Sequence, residues 1–389
     1  MVSAHAFEFA TATRVIFGAG KASLVGEWLS ELGARRLLVV TGKDTERARV
    51  VWQVLDAQKL SYERYVVEHE PSVQMVRAGT QLCLAHQAQA VIAVGGGSVI
   101  DAGKAIAALA ASRSDPLDHL EVVGRGRPLT RPPPPFAALP TTAGTGAEVT
   151  RNAVLSSPEH GVKASLRSAS MLPQLAIVDP DFLRDAPKSV LRASGLDALS
   201  QLIEPFVSVR ANPISDALAR EGLTRSRRSL ELAVLHGADA AQRDDLALAS
   251  LLGGLCLANA GLGAVHGFAA PLGGMFEAPH GAVCAALLPH VMRMNLRALR
   301  ATAGSEAMLK RYGELAALLT GESAAEPEQA IAWVERLCRV LEVPGLRAYG
   351  MLPEHIPDLV AKAERASSMR GNSIVLSEAD LTEIAASAL

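Results

Sequence analysis

The sequence predicts an α/β unit built on a parallel sheet over residues 1–181 and an all-helical unit over residues 182–389. Three observations carry this. The chain has 389 residues, more than one hydrophobic core usually supports, so two domains are expected. Before about residue 180, short apolar runs alternate with amphipathic stretches, which implies βαβ units and a parallel sheet. Beyond Asp181 the strand signals cease, and long Ala/Leu-rich helical patterns follow one another to Leu389.

Taken in order, residues 36–41, 62–67, 90–94, 136–139 and 175–179 read as strands, because continuous apolar runs suit strands buried on both faces. Residues 21–32 and 73–88 show helical spacing. Gly18 and Gly20 mimic the start of a dinucleotide fingerprint, but the third glycine is missing and no βαβ context precedes them, so they read as a turn into a helix. Residues 131–135, an arginine followed by four prolines, read as a stiff surface approach to the strand at 136–139, with partner docking as the alternative. Residues 246–276 contain no Asp, Glu, Lys or Arg and exceed the roughly 20 residues of a membrane helix. Their apolar content is largely Ala and Gly, interrupted by Pro271, so a helix buried on all sides is expected and no membrane span.

Composition removes several classes of function. Lys+Arg 38 against Asp+Glu 40 leaves a net charge of −2 with no basic block, so neither nucleic acid nor anionic lipid is an expected partner. Cys83, Cys256, Cys284 and Cys338 form no C-x-x-C pair and read as buried thiols in a reducing cytosol. The N-terminus lacks the basic start and apolar run of a signal peptide, so a cytoplasmic protein is expected.

Chemistry concentrates in two loops. The strand at 90–94 runs into Gly95, Gly96 and Gly97, and a helix is expected from Ser98. Bare helix amides and glycines without Cβ let a pyrophosphate approach the backbone. The alternative is a capping box of Ser98 with Asp101. Position at the carboxyl end of a parallel strand favours the ligand. A second loop, residues 139–148, offers the hydroxyls of Thr141, Thr142 and Thr145, two glycines and Glu148. It reads either as a polar connection or as the opposite wall of the same phosphate and nicotinamide site.

These loops, together with the segment at 195–204 carrying Asp197, Val265-His266 and the segment at 278–281 ending Pro-His-Gly, resemble the iron-containing (group III) alcohol dehydrogenase family along nearly the whole chain. The resemblance implies the architecture shared with dehydroquinate synthase, an N-terminal dinucleotide-binding domain and a helical metal- and substrate-binding domain, with a cleft for one divalent metal, iron or zinc, and commonly a homodimer. It implies an NAD(P)-linked alcohol dehydrogenase or aldehyde reductase acting on a small alcohol or aldehyde. By position, Gly96, Gly97, Ser98, Asp101, Thr141, Thr142, Thr145, Asn152 and Lys163 would contact the cofactor. Asp197, Gln201, His266 and His280 would hold the metal, and His266, His280 and Asp101 would act in catalysis. Asp197 and Gln201 are four apart, so one helix face presents both.

Two departures bear on the reacting centre. Gln201 stands where the family usually has histidine, and Ala270 where it often has a second one. A glutamine carbonyl can ligate but donates less than imidazole, so a weaker or differently selective site is expected. A metal-independent reductase similar to maleylacetate reductase, a lyase resembling dehydroquinate synthase and a non-catalytic nucleotide-binding protein stay open as alternatives. Where dinucleotide folds commonly carry an acid for the ribose 2′-hydroxyl, this chain has Gly42 then Lys43. NADP(H) is therefore expected to be accepted at least as well as NAD(H), unless Lys43 is only a solvated turn residue. His5, His69, His86, His119, His160, His236 and His355 have no partner motif and are expected to be surface or satisfied groups. His290 resembles a recurrent family position near the site.

Overall fold

The computed structural model describes residues 6–276 and 278–389, so His5 lies outside the described residues. The chain forms two compact units. One comprises Thr11–Ala186 and the other Pro187–Leu389 with the described residues before Thr11. A boundary at 181/182 would cut the 3₁₀ turn Pro180–Leu183. Asp179 caps that turn through the Asp181 amide and also accepts the amides of Gly20 at 3.0 Å and Ala22 at 2.8 Å. Ala10 joins the helical unit because Asn259 pairs with its backbone, at 2.7 Å to its N–H and 2.9 Å to its carbonyl.

The first unit runs β1 (Arg14–Phe17), α1 (Val25–Leu32), β2 (Arg36–Thr41), α2 (Arg49–Ala57), β3 (Ser61–Val66), α3 (Val73–Ala85), β4 (Ala90–Gly95), α4 (Gly97–Ser112), a single turn α5 (Pro116–His119), β5 (Phe136–Pro140), β6 (Asn152–Ser157), β7 (Val162–Arg167) and β8 (Leu175–Val178). Six strands form a parallel sheet in the order β1-β8-β5-β4-β2-β3, and β6 with β7 forms an antiparallel hairpin. Leu38, Val40, Val91 and Ala93 pack in one apolar cluster, while their chain neighbours Leu37, Val39, Ile92 and Val94 pack in another. Alternate side chains of one strand thus fill opposite faces. A sheet covered on both sides explains why its strands are apolar without alternation.

The expected strands in this unit are all present, but β1, β6 and β7 escape the sequence pattern. The glycines at 18 and 20 follow the edge strand β1, with no βαβ unit before them, and lead into a helix as expected. Both take positive φ, 141° and 74°, and serve the turn between β1 and α1.

The chain winds from β2 outward to β3, then returns across β2 to β4 and continues to β5. That reversal opens a crevice at the carboxyl ends of β2 and β4, where ligands of such sheets bind. Thr41 pairs in register with Val94, and Gly95 with Pro140. Gly42, the triple glycine and Thr141 therefore emerge from neighbouring strand ends.

The second unit contains, among the described residues, α6 (Lys188–Phe206), α7 (Pro213–His236), α8 (Ala240–Ala260), α9 (Ala264–Met275), α10 (His280–Ala301), α11 (Glu306–Thr320), α12 (Pro327–Val340), α13 (Ile356–Glu364) and α14 (Glu378–Ser387). The charge-free run expected as one buried helix is the end of α8 and the whole of α9, bent by 100° at residues 261–263. Among the described residues no single helix is long and apolar enough to cross a membrane. Glycine is needed at the break, since a Cβ on Gly263 would lie 2.9 Å from Glu204 Oε1 and 2.8 Å from Asn372 Oδ1. α6 is buried at every residue from Gly195 to Phe206.

Candidate active site

In the sheet unit, α4 begins directly at the end of β4. Its N-cap is Gly96 in extended conformation and no side chain caps it, so the capping box of Ser98 with Asp101 does not form. The first amides of α4 are left for an anion. The second loop is interlocked with the first: the Thr141 amide donates to the Gly95 carbonyl at 2.9 Å, and a Cβ on Gly97 would lie 2.7 Å from Thr145 Oγ1. A Cβ on Gly96 would lie 3.3 Å from Thr142 Oγ1. Gly42 is roomier, its nearest neighbour being Val99 at 3.8 Å. Lys43 is exposed and lies 3.9 Å from Glu68, so its charge is not unopposed there.

Beneath the loops sits a buried lysine. Lys104 Nζ donates to Ala147 O at 2.9 Å, to Thr150 Oγ1 at 3.0 Å and to Asn152 O, and it pairs with Asp101 Oδ1 at 3.0 Å. Its side chain is fully buried. The other oxygen of Asp101 accepts the Val154 amide at 2.9 Å. With both oxygens engaged, Asp101 frames the loop. Burial pushes the carboxyl of nearby Glu148 up to about 7, against the pull of Lys104. Asn152 and Lys163 both lie on the hairpin but not at one point. Lys163 pairs with Ser156, four residues or about 13 Å along the strand from Asn152, and its ammonium is 2.8 Å from Glu70.

In the helical unit, α6, α9 and α10 bring Asp197, Gln201, His266 and His280 together from distant points in sequence. A Cβ on Gly281 would run into the Ala193 carbonyl oxygen and come within 3.1 Å of Asp197 Cβ. Glycine there lets the first turn of α10 rest on α6, with His280 beside Asp197. His266 Nε2 is 3.4 Å and His280 Nε2 3.7 Å from Asp197 Oδ1. Gln201 Nε2 donates to Asp197 Oδ2 at 3.0 Å. Asp197 Oδ1 and Gln201 Oε1 are buried without a hydrogen-bond partner. Orphaned buried acceptors are costly, by about 1–3 kcal/mol each, and mark a place where a cation fits.

Two residues of the cluster were not singled out by the sequence. Cys284, read above only as a buried thiol, lies 3.7 Å from both His266 Nε2 and His280 Nε2. Its sulfur joins Asp197, His266 and His280 in a set of donor atoms all within 4.8 Å of one another. The signal was available, since Cys284 is four residues beyond His280 on one helix face. Glu204, one further turn along α6, accepts the His266 Nδ1–H at 2.6 Å through Oε2 and the Val265 amide at 2.7 Å through Oε1. It thus caps the N-terminus of α9 and leaves His266 Nε2 facing the cluster as the free nitrogen.

The electrostatics describe a site hungry for positive charge. Burial drives the Asp197 carboxyl upward, yet His280, His266 and Gln201 outweigh it and hold it below its ordinary value. Burial likewise disfavours charge on Cys284, but the two imidazoles bring its thiol down. The Cys284 sulfur and then Asp197 hold His280 up at about 9. His266 is raised well above its ordinary value, because Cys284, Asp197 and Glu204 overcome its desolvation. Here protons do what a cation would do.

The remaining expectations fall away from the cluster. Ala270 is exposed on α9. His290 stands ten residues beyond His280, about 15 Å of helix rise, beside Arg293 at 3.4 Å, and burial pushes its pKa down. His119 and His160 are satisfied by local hydrogen bonds to Ser114 and Ser157.

Comparison with known proteins agrees with this division into two chemical halves. Residues 12–180 match the family described as iron-containing alcohol dehydrogenase, and residues 192–389 match the C-terminal domain of the Fe-containing alcohol dehydrogenase family. The 1,3-propanediol dehydrogenase of Klebsiella pneumoniae is 34% identical over 375 residues, 93% of this chain and 90% of the relative. The crystal structure of a 1,3-propanediol oxidoreductase superposes with a TM-score of 0.91 at 32% identity, covering 99% of this chain and 100% of the other. That of sulfoacetaldehyde reductase from Bifidobacterium kashiwanohense in complex with NAD+ gives 0.87 at 26% identity, covering 99% of each chain.

Proposed function

Because the chain belongs to the iron-containing alcohol dehydrogenase family, we propose that it catalyses metal-dependent, NAD(P)-linked hydride transfer between nicotinamide and a small alcohol or aldehyde. The observation that carries this reading is the under-partnered cluster: Asp197, His266 and His280 aim donor atoms at one another with no hydrogen bond to Asp197 Oδ1. Asp197, His266 and His280, with Gln201 beside them, would hold a divalent ion, which would supply Lewis-acid polarisation of a substrate oxygen. Glu204 fixes His266 in the tautomer that exposes Nε2. Gln201 orients Asp197 by its amide.

On the nucleotide side, the uncapped start of α4 with Gly96, Gly97 and Ser98 receives the pyrophosphate. Thr141, Thr142 and Thr145 line the adjoining wall, and Lys104 with Asp101 keeps the two loops in register. Gly42 leaves room for a 2′-phosphate, which supports use of NADP(H) at least as well as NAD(H), and the exposed Lys43 reaches it only by leaving its partner Glu68. Ala270 carries no titratable group, so the proton that completes an alcohol product comes from water or a cofactor hydroxyl rather than from an imidazole at that position. The relatives act on a diol and on an aldehyde by their names, which supports a small primary alcohol or aldehyde as substrate.

The test is a panel of short aldehydes, alcohols and diols assayed with both cofactors, on chelated protein and on protein reloaded with iron or zinc. Turnover should require metal, and His280→Ala should lose about 10²-fold or more, the scale of removing a Lewis-acid site worth several kcal/mol. Equal turnover by the chelated protein would instead support a metal-independent reductase. Dinucleotide binding with no turnover anywhere on the panel would support a non-catalytic protein.

A further inference from the structure

The geometry points to Cys284 as a thiolate ligand of the metal, completing an Asp197, His266, His280, Cys284 donor set that Gln201 leaves one short and that selects zinc over iron. The inference rests on the proposed metal site and adds the identity of its fourth donor.

The separations carry the argument. Metal bonds of about 2.0–2.1 Å to nitrogen or oxygen and about 2.3 Å to sulfur, at tetrahedral angles, put nitrogen–sulfur pairs roughly 3.6 Å apart and oxygen–nitrogen pairs roughly 3.3 Å apart. Both nitrogen–sulfur edges here are 3.7 Å, and the oxygen–nitrogen edges are 3.4 and 3.7 Å. Four of the six edges of this donor set, drawn from three helices, therefore lie within about 0.4 Å of tetrahedral lengths, and the other two are no longer than 4.8 Å. Each donor is buried except His280, whose side chain is 37% exposed.

Gln201 fits a different task. Its Nε2 is engaged with Asp197 Oδ2, so it orients the carboxylate whose Oδ1 approaches the two imidazoles. Its own Oε1 is an amide oxygen, a harder and weaker donor than thiolate sulfur. A site with one thiolate and two imidazoles suits zinc, whereas an oxygen in place of sulfur moves the preference toward harder ions. On binding, the Cys284 thiol loses its proton to water and the S–metal bond replaces the S–H bond.

The competing account of the same distances is a thiol hydrogen-bonded to two imidazoles, with no part in metal binding. Cobalt(II) separates the two. The full-length protein, freed of metal, is titrated with Co²⁺ and its near-ultraviolet and visible absorption recorded. A thiolate ligand gives an intense sulfur-to-cobalt charge-transfer band that nitrogen and oxygen ligands do not give. The expected result is that band at one equivalent in wild type, its loss in Cys284→Ser and its retention in Gln201→Ala. Zinc affinity, by competition with a chelator, should fall in Cys284→Ser by at least the roughly 10- to 100-fold that follows loss of a mere outer partner. The zinc-over-iron preference should fall with it. One equivalent of Co²⁺ with only weak d–d bands, identical in wild type and Cys284→Ser, overturns the sulfur ligand and leaves the metal site standing. No Co²⁺ or Zn²⁺ binding to wild type overturns both. The wild-type spectrum needs no variant, so a Cys284→Ser that fails to fold does not shield the inference.

Discussion

Each unit buries one cluster of charged groups, and the two are built on opposite principles. Around Lys104 every donor has an acceptor: two backbone carbonyls, a threonine hydroxyl and the Asp101 carboxylate. Around Asp197 the acceptors outnumber the donors, and two buried oxygens have no partner. A satisfied cluster needs nothing further and acts as a brace under the cofactor loops. A deficient one is costly unless something outside the chain completes it. The difference separates scaffold from site even though both contain buried, perturbed ionisable groups.

The largest effect expected from this contrast is at the brace. Lys104→Met leaves Asp101 as an unpaired, partly buried charge and strips three acceptors, so stability should fall by about 3–5 kcal/mol, measured by urea unfolding. A loss below about 1 kcal/mol would mean the lysine frames nothing.

Next comes the acid beside it. A folded-state pKa of about 7 for Glu148, against 4.5 for the free group, means the folded chain keeps a proton that the unfolded chain has released. Wild-type stability should thus fall relative to Glu148→Gln as pH rises from about 4.5 to about 7, and the gap should stay constant above that. The gap is up to roughly 3 kcal/mol. Unfolding curves at pH 5, 6, 7 and 8 check it, and a gap that shrinks with pH would show Glu148 to be charged and paired with the brace.

A smaller effect is expected at the deficient cluster. In Glu204→Gln the carbonyl can still accept the Val265 amide, but the NH₂ then faces His266 Nδ1. The imidazole proton moves to Nε2, the atom that must be bare to ligate. Metal affinity should drop by about 10- to 100-fold while the melting temperature of the metal-free protein barely moves. Equal losses in both would make Glu204 a helix cap and nothing more. The smallest effect closes the contrast: Gln201→Leu removes one hydrogen bond and one orphaned carbonyl, which offset each other, so the metal-free protein should change by less than about 1 kcal/mol.

Legibility in the sequence followed burial. β2, β4, β5 and β8 are apolar on both faces and could be read directly, whereas Asp197 and Gln201, one turn apart, were picked out by the family resemblance. β1 has four residues at a sheet edge and is half-exposed, too short to stand out. β6 and β7 carry Asn, Ser, Lys and Arg at their outer positions, residues poorly suited to strands, so their alternation was masked. The break between α8 and α9 was hidden because its glycines sit in an unbroken apolar run. That His266 and His280 meet Asp197 follows from helix packing over long sequence separations, which no local periodicity encodes; only the family resemblance supplied it. Cys284 and Glu204 lie at helical spacing from His280 and Asp197, but a lone cysteine and a lone acid in apolar helices carry no pattern of their own.

The glycine at 281 gives the centre its dimensional tolerance. Metal–ligand distances are held to within about 0.2 Å, finer than the freedom of most side chains. Here that accuracy is set by a hard stop, backbone of α10 against the Ala193 carbonyl of α6. A single methyl group at this position would act as a shim, wedging the two helices apart and moving His280 out of range of Asp197 without touching any donor atom. Substitution at 281 would therefore act on the proposed metal site as the loss of His280 would, although the residue there has no side chain of its own.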